Sequence, residues 1–574
     1  MSIYADAPWR ALYASGQSPV LDPPHRTMLE AFSASVQTSP KLPVLRYFDS
    51  VLTLGWLNDA ADALACALID RGFGPGDRLA LYTQNNPPFV IGLIAAWKAG
   101  GCAVPVNPMN KERELAHILT DSGATALLCL DDLYASVVDG MLSEQRAAQL
   151  DVVITTSAGD FQTRNDKRVL SYADPQPLRH GRERLTDVLD NYAGRRPARH
   201  VPQPDDVAVL TYTSGTTGVP KGAMNTHRAM SFNSYTCRQW MGLRPDDVIM
   251  GIAPLFHITG LVAHIGVALV TPCPLVLAHR FHPQVVLDAL AEHRPTFAIA
   301  AITAFNSLLS ASQRPDRDFA SLRTVFSGGA PIAPAIADEF RRRTGCTILN
   351  IYGLTETTSP SHATPMGATA PVDPLTGALS VGVPVFNTAA RILDDAGSEV
   401  GVGEIGEIAI RGPQVVPGYW NRPAETAEAI VDGELRTGDI GYMNDAGWFF
   451  VIDRKKDMIN ASGYKVWPRE VEDVLCAHPA VREAAVIGVA DPYRGETVKA
   501  FVSLGPGINA TEAELIEFCK DNMAAYKYPR TIDILDELPK TLSGKILRRE
   551  LRDRSQGTSR PPAAAISSRA GHDQ

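Results

Sequence analysis

The stretch Thr211–His227 reads TYTSGTTGVPKGAMNTH. It sets Thr213, Ser214, Thr216 and Thr217 around Gly215 and Gly218, and then adds Pro220, Lys221 and Gly222. The apolar run Val207–Leu210 precedes it. A strand that feeds a Gly/Ser/Thr loop and a lysine is a design for cradling phosphate. Glycines let backbone N–H groups approach phosphate oxygens and tolerate positive φ. The hydroxyls donate further hydrogen bonds, and Lys221 supplies a point charge. The loop is not a Walker A motif, because Lys221 stands between Pro220 and Gly222 and is not followed by Ser or Thr. A polar surface loop has a similar composition, so the companions of the loop decide its meaning.

Those companions are SGGAP (327–331), YGLTET (352–357), RTGDIG (436–441), DRKKDMINASGYKV (453–466) and PKTLSGKILRR (539–549). With TSGTTGVPKG they resemble, in the same order, the core motifs of the adenylate-forming superfamily in its acyl-CoA synthetase branch. The resemblance runs from about residue 50 to residue 552. It implies two half-reactions. A carboxylate attacks the α-phosphorus of ATP to give an acyl-adenylate and pyrophosphate, and a thiol, usually that of coenzyme A, then displaces AMP. Charge builds on the α-phosphate and on the leaving pyrophosphate, so cations and donors have to be in place there.

The resemblance also implies roles. Thr213, Ser214, Gly215, Thr216, Thr217, Gly218 and Lys221 would hold the β- and γ-phosphates. Thr355 would touch the α-phosphate, and Glu356 would hold Mg2+, which favours carboxylate and phosphate oxygens. Asp439 and Arg454 would bind the ribose hydroxyls. Gly329 and Ala330 would pack on one side of adenine, with Asn350 and Tyr352 on the other. Lys545 would neutralise the two anions as they meet, and its loss should hurt adenylation more than thioester formation. A hinge is expected at Lys456, with Gly463 lining the pantetheine channel after rotation. Asn460 stands where some relatives carry lysine, and no role is assigned to it.

The substrate acid is less legible. PLFHITG (254–260) matches the acid-pocket entrance. Amino-acid-activating relatives place an aspartate here, whereas this chain has His257, as in the acyl- and aryl-CoA ligases. Thr259, Ala263, His264, Phe305 and Phe326 are candidates for a pocket that suits an uncharged acyl or aryl body. The expectation is a ligase for medium- or long-chain fatty acids using ATP, Mg2+ and coenzyme A. The alternatives are an aryl or arylalkanoate CoA ligase, and a fatty-acyl-AMP ligase loading a carrier protein. No obvious insertion lies between Tyr352 and Asp439, which favours coenzyme A.

The elements that must position these residues follow from pattern. Leu57–Gly72 has helical periodicity and ends at a glycine. DRLALYTQNN (77–86) reads as a strand and its exit, PPFVIGLIAAWKAGG (87–101) as a helix, and CAVPVNP (102–108) as the next strand. Such alternation implies a mainly parallel sheet. The polar segment 143–199 is expected to be a surface excursion. After Asp453–Lys456 the pattern becomes helix, strand, turn, strand, followed by a helix near Glu512–Met523. The expected class is α/β: a large adenylation domain of stacked α/β sheets over 1–453, and a small mobile α+β domain over 454–555. A disordered tail is expected over 556–574.

Composition bounds the rest. The 574 residues carry a formal net charge of −9, which disfavours nucleic acid as a main partner. The eight cysteines show no metal-ligand spacing and suit a reducing, cytoplasmic setting. The stretch Ile249–Ala278 lacks Asp, Glu, Lys and Arg. Its three prolines and two histidines fit a buried core better than a membrane span, with peripheral membrane association as the alternative. A homodimer is left open.

Overall fold

The computed structural model describes residues 3–146, 150–170, 182–213, 220–330, 332–373, 377, 379–461, 464–491, 495–505, 507–541 and 546–555. It forms two compact units that divide between Ile452 and Asp453. Of the expected features, the tail 556–574 lies outside the described residues.

In the large unit, two long sheets carry the motifs. One runs in the spatial order Glu183–Arg184, Val152–Thr156, Ala126–Leu130, Arg78–Tyr82, Cys102–Pro105, Val207–Thr213, Lys221–Thr226. All its pairings are parallel except the last, where Val207–Thr213 and Lys221–Thr226 form an antiparallel hairpin. The other runs from Val383–Pro384 through Ser359–Ala363, Ile348–Leu354, Thr324–Ser327, Phe297–Ala300, Ile249–Met250, Leu275–Leu277 and Pro43–Tyr47 to Ser50–Thr53. Its interior pairings are parallel and its edge pairings antiparallel. A smaller antiparallel sheet is built on Ala389–Leu393, Gly406–Arg411 and Glu434–Met443.

The helices form where periodicity and caps agree. Thr53 caps Leu54–Asp70 by accepting the Trp56 N–H at 3.2 Å. Asn86 caps Pro87–Lys98 by accepting the Phe89 N–H, with proline at the first helical position. Almost every side chain of Pro87–Lys98 is buried, so this helix is an internal strut and not an amphipathic cover. One expectation needs correction. The segment 143–199 is not only a surface excursion, because Val152–Thr156 is a fully buried strand paired in parallel with Ala126–Leu130. The polar residues around VVITT hid it: three apolar residues followed by two threonines show no alternation, as in a strand buried on both faces.

The charge-free stretch 249–278 is core. It breaks into the strands Ile249–Met250 and Leu275–Leu277, a π-helical turn Leu261–Gly266 and a short helix Val267–Val270. Among the described residues no helix is long and apolar enough to cross a membrane.

The small unit holds a mixed sheet in which Gly495–Leu504 pairs with Val481–Asp491 on one side and, in parallel, with Thr531–Ile534. Helices Pro468–Cys476 and Glu512–Asn522 bury Val471, Leu475 and Leu515 against Val486, Ala500 and Val502.

Candidate functional site

The hairpin explains how the chain presents its phosphate loop. Thr213 and Lys221 are the last register partners of the hairpin, so the seven residues between them form its connection. Gly222 packs against Tyr212, where an added Cβ would lie 3.1 Å from the ring. The Tyr212 hydroxyl donates to Asp121 Oδ2 at 2.8 Å, and Arg422 donates to Asp121 Oδ1 at 2.8 Å. The stem of the loop is therefore braced by two charge-assisted or phenolic bonds to one carboxylate. Ser214, Gly215, Thr216, Thr217 and Gly218 lie outside the described residues, as do Gly463 and Lys545.

The adenine-side candidates sit at the carboxyl ends of adjacent parallel strands, where α/β sheets bind ligands. Ser327 pairs with Asn350, so Gly329 and Ala330 leave one strand end beside Asn350 and Tyr352 on the next. Gly328 has no room for a side chain, because a Cβ would lie 2.4 Å from the Ile351 carbonyl oxygen. Gly329 has φ +79° and open space around its Cβ position, so the backbone there is bare and accessible. Asn350 is buried, and its amide donates to the Ser380 carbonyl at 3.0 Å. The Tyr352 hydroxyl donates to Asp439 Oδ2 at 2.6 Å, which joins a residue expected near adenine to one expected near ribose. Asp439 stands within the strand Glu434–Met443, where its register with Gly406–Arg411 shifts. Gly438 at φ +68° donates its N–H to Glu407 Oε1 at 2.9 Å. His362 lies buried between the Tyr352 and Phe449 rings, at centroid distances of 5.5 and 4.8 Å. Burial holds it neutral, with its pKa down to about 3.

Thr355 and Glu356 lie in a single 3-10 turn, Thr355–Thr357, directly after the strand that carries Tyr352. The turn exits through two non-glycine residues at positive φ, Thr358 at +49° and Ser359 at +76°. Such backbone costs about 1–3 kcal/mol per residue and persists only when surrounding structure over-determines it. The enforcing groups are two buried asparagines that sequence reasoning missed. Asn225 Nδ2 donates to the Thr355 carbonyl at 2.9 Å and to Thr358 Oγ1 at 3.0 Å. Asn233 Nδ2 sits among the carbonyls of Thr357, Thr358 and Pro360, at 3.0, 2.8 and 3.2 Å. A third missed residue, Tyr419, reaches Glu356 itself: its hydroxyl donates to Glu356 Oε1 at 2.7 Å. The only sequence signal for any of them was position, Asn225 four residues after Lys221 and Asn233 on the helix that follows.

Among the described residues no group of three or more His, Cys, Asp or Glu side chains could enclose a metal ion. A lone carboxylate such as Glu356 fits Mg2+ that is shared with substrate phosphates, because Mg2+ keeps few protein ligands and takes phosphate oxygens. Lys221 Nζ lies 5.3 Å from the Tyr419 ring centroid, so the Tyr419 side chain touches both the lysine and the carboxylate. The donor set, one cation and one carboxylate beside bare backbone, fits a nucleoside triphosphate with its metal.

At the expected acid-pocket entrance, half-buried His257 caps the turn Ile258–Gly260, and its Nδ1 accepts the Thr259 N–H at 3.3 Å. Gly260 is obligatory, since a Cβ would fall 2.1 Å from the Pro254 carbonyl oxygen. Ala263, His264, Phe305 and Phe326 are buried. His264 Nε2 accepts the Ala253 N–H at 3.1 Å, and burial lowers its pKa to about 4. This histidine ties the π-helical turn to the PLFH segment.

In the small unit, Arg454 donates its backbone N–H to Asp453 Oδ1 at 2.7 Å, and Lys456 lies in the 3-10 turn Lys455–Asp457. Buried Asp453 also accepts the Arg469 N–H at 2.9 Å. Burial pushes its carboxyl up to about 6 against the pull of Arg548. Arg548 donates to both oxygens of Glu472, at 2.7 and 2.8 Å, and to Asp457 at 3.3 Å, while Arg552 reaches Asp457 at 2.7 Å. The C-terminal helix Arg548–Ser555 thus clamps the segment that carries the expected hinge.

Known proteins resemble this chain over most of its length. The chain matches the AMP-binding enzyme family over residues 32–420, and the AMP-binding enzyme C-terminal domain over 470–545. It is 34% identical to a long-chain-fatty-acid–CoA ligase of Bacillus subtilis, over 95% of this chain and 97% of that protein. It is also 34% identical to a feruloyl-CoA synthase of Amycolatopsis, over 90% of this chain and 96% of that protein. Its fold superposes on the ATP-bound MatB crystal structure from Rhodopseudomonas palustris with a TM-score of 0.81 at 28% identity, covering 93% of this chain and 99% of that one. With its two matched domains in order along one chain, this protein belongs to the AMP-binding enzyme family.

Proposed function

We propose that this acyl-CoA ligase acts on medium- or long-chain fatty acids, and that the residues named above perform its two steps. As an AMP-forming acid–thiol ligase it uses ATP, Mg2+ and coenzyme A. In the first step a carboxylate oxygen bonds to the α-phosphorus and the bond to pyrophosphate breaks. In the second, the coenzyme A sulfur bonds to the acyl carbon and AMP leaves with the electron pair. Lys221 and the loop from Thr213 hold the β- and γ-phosphates, and Thr355 steadies the α-phosphate. Glu356 holds Mg2+, which supplies Lewis-acid neutralisation of the phosphate oxygens. Tyr352 and Asp439 fix the nucleoside, with Arg454 a second ribose donor. Gly329, Ala330 and Asn350 shape the adenine slot. Lys545 serves adenylation, and rotation at Lys456 exchanges it for Gly463 beside the pantetheine path. His257 gates the carboxylate entrance. The small domain comprises 454–555.

The observation that carries the fatty-acid reading is the likeness to the Bacillus long-chain-fatty-acid–CoA ligase over nearly the whole of both chains. The equal identity of the feruloyl-CoA synthase favours an aryl acid as the second reading. The two separate in one assay: coenzyme-A-dependent AMP release across acetate, octanoate, palmitate, benzoate and ferulate. A maximum at octanoate or palmitate supports the fatty-acid reading, and a maximum at ferulate or benzoate replaces it with the aryl one.

A further inference from the structure

We infer that Tyr419 is a positioning residue that couples the metal carboxylate to the phosphate-loop lysine. The inference rests on the placement of Glu356 and Lys221 proposed above. Tyr419 lies 63 residues from Glu356 and far along the chain from Lys221, yet one side chain meets both. Its hydroxyl donates to Glu356 Oε1 at 2.7 Å, and the Lys221 ammonium stands 5.3 Å from its ring centroid. A hydrogen bond to one carboxylate oxygen fixes the rotamer and leaves the other oxygen to face a metal, as partners behind metal ligands do. The ring face offers the lysine an electrostatic seat without neutralising it.

The backbone around Tyr419 is built to hold it there. Tyr419 forms an antiparallel bridge with Ala223 on the strand leaving the phosphate loop. On either side the Trp420 N–H donates to the Gly222 carbonyl at 2.8 Å and the Met224 N–H donates to the Gly418 carbonyl at 3.1 Å. The Tyr419 N–H itself donates to Thr426 Oγ1 at 2.9 Å. Gly418, at φ +155°, has no space for a side chain, because a Cβ would lie 2.4 Å from Thr426 Cγ2. The Val416 N–H donates to the Glu356 carbonyl at 2.9 Å, which docks the same segment on the carboxylate's own backbone. Residues 416–420 therefore run as a strap between the stem of the loop and the Glu356 turn, with Tyr419 as its inward side chain. Any displacement of Lys221 by phosphate is felt at Glu356 through one ring and one hydroxyl.

The test measures binding, not turnover. Mn2+ affinity is read by electron paramagnetic resonance on the full chain with α,β-methylene-ATP, for wild type, Tyr419→Phe, Tyr419→Leu and Glu356→Gln. Affinity for α,β-methylene-ATP without metal and thermal midpoints are recorded alongside. Tyr419→Phe should weaken Mn2+ binding about tenfold, a typical cost for losing a group that orients a metal ligand. It should leave metal-free nucleotide affinity and the thermal midpoint unchanged. Tyr419→Leu should weaken both Mn2+ and metal-free nucleotide binding. Mn2+ affinity in Tyr419→Phe within twofold of wild type would overturn the inference, provided Glu356→Gln has lost the ion. Retention of Mn2+ affinity by Glu356→Gln would overturn the assignment of Glu356 as well.

Discussion

The Tyr352 hydroxyl and Asp439 Oδ2 lie 2.6 Å apart, although the residues are separated by 87 positions and stand on different sheets. The bond orients the carboxylate. Asp439→Asn removes the charge that should accept from the ribose hydroxyls. A charged hydrogen bond is worth about 1.5–3 kcal/mol, so KM for ATP should rise about tenfold or more. Tyr352→Phe keeps the ring and should raise KM by less. Steady-state kinetics at saturating acid and coenzyme A reads both.

Asn233→Ala removes the amide that faces three carbonyls of the Thr357–Pro360 turn. Leaving buried carbonyls unpaired costs roughly 1–3 kcal/mol, and the strained Thr358 and Ser359 backbone should relax. The expected outcome is a lowered thermal midpoint and a fall in kcat larger than any change in KM for the acid. Differential scanning fluorimetry and kinetics with varied acid check it.

Arg548→Ala should damage the small domain. It strips Asp453 and Asp457 of a cation and breaks the two-point bond to Glu472. Removing one partner from a largely buried ionic group costs roughly 3 kcal/mol. Both half-reactions should slow, and protease cleavage after residue 453 should accelerate in limited digestion.

Acid should destabilise the large unit. Burial holds His227, His279 and His362 near a pKa of about 3 and His264 near about 4. Unfolding returns each to its ordinary value of about 6.5, so between these values the unfolded chain binds more protons than the folded one. Stability then rises with pH across this window and falls as pH drops from 6.5, by about 1.4 kcal/mol per pH unit for each histidine. The raised carboxyl of Asp453 acts in the opposite sense, but it belongs to the small unit. Thermal melts from pH 7.5 to 5 should show the large-unit transition moving down. A midpoint independent of pH contradicts the account.

What was legible in the sequence was local. The phosphate loop could be read because its residues are contiguous between two strands, and the helix Pro87–Lys98 because asparagine, two prolines and an apolar run occur together. The strand Val152–Thr156 escaped because three apolar residues and two threonines set among polar residues carry no period. Asn225, Asn233 and Tyr419 escaped for another reason. Each acts on the Thr355–Glu356 turn through tertiary contacts spanning 63 to 133 positions, which no local pattern encodes.

The most direct test of the central claim is to mix the protein with ATP, Mg2+ and palmitate, and to follow nucleotide and acyl products by mass spectrometry before and after adding coenzyme A. The account predicts palmitoyl-AMP and pyrophosphate first, then palmitoyl-CoA and AMP in equal amounts once coenzyme A is present. Formation of ADP and phosphate, or an adenylate that persists unchanged after coenzyme A is added, would contradict it.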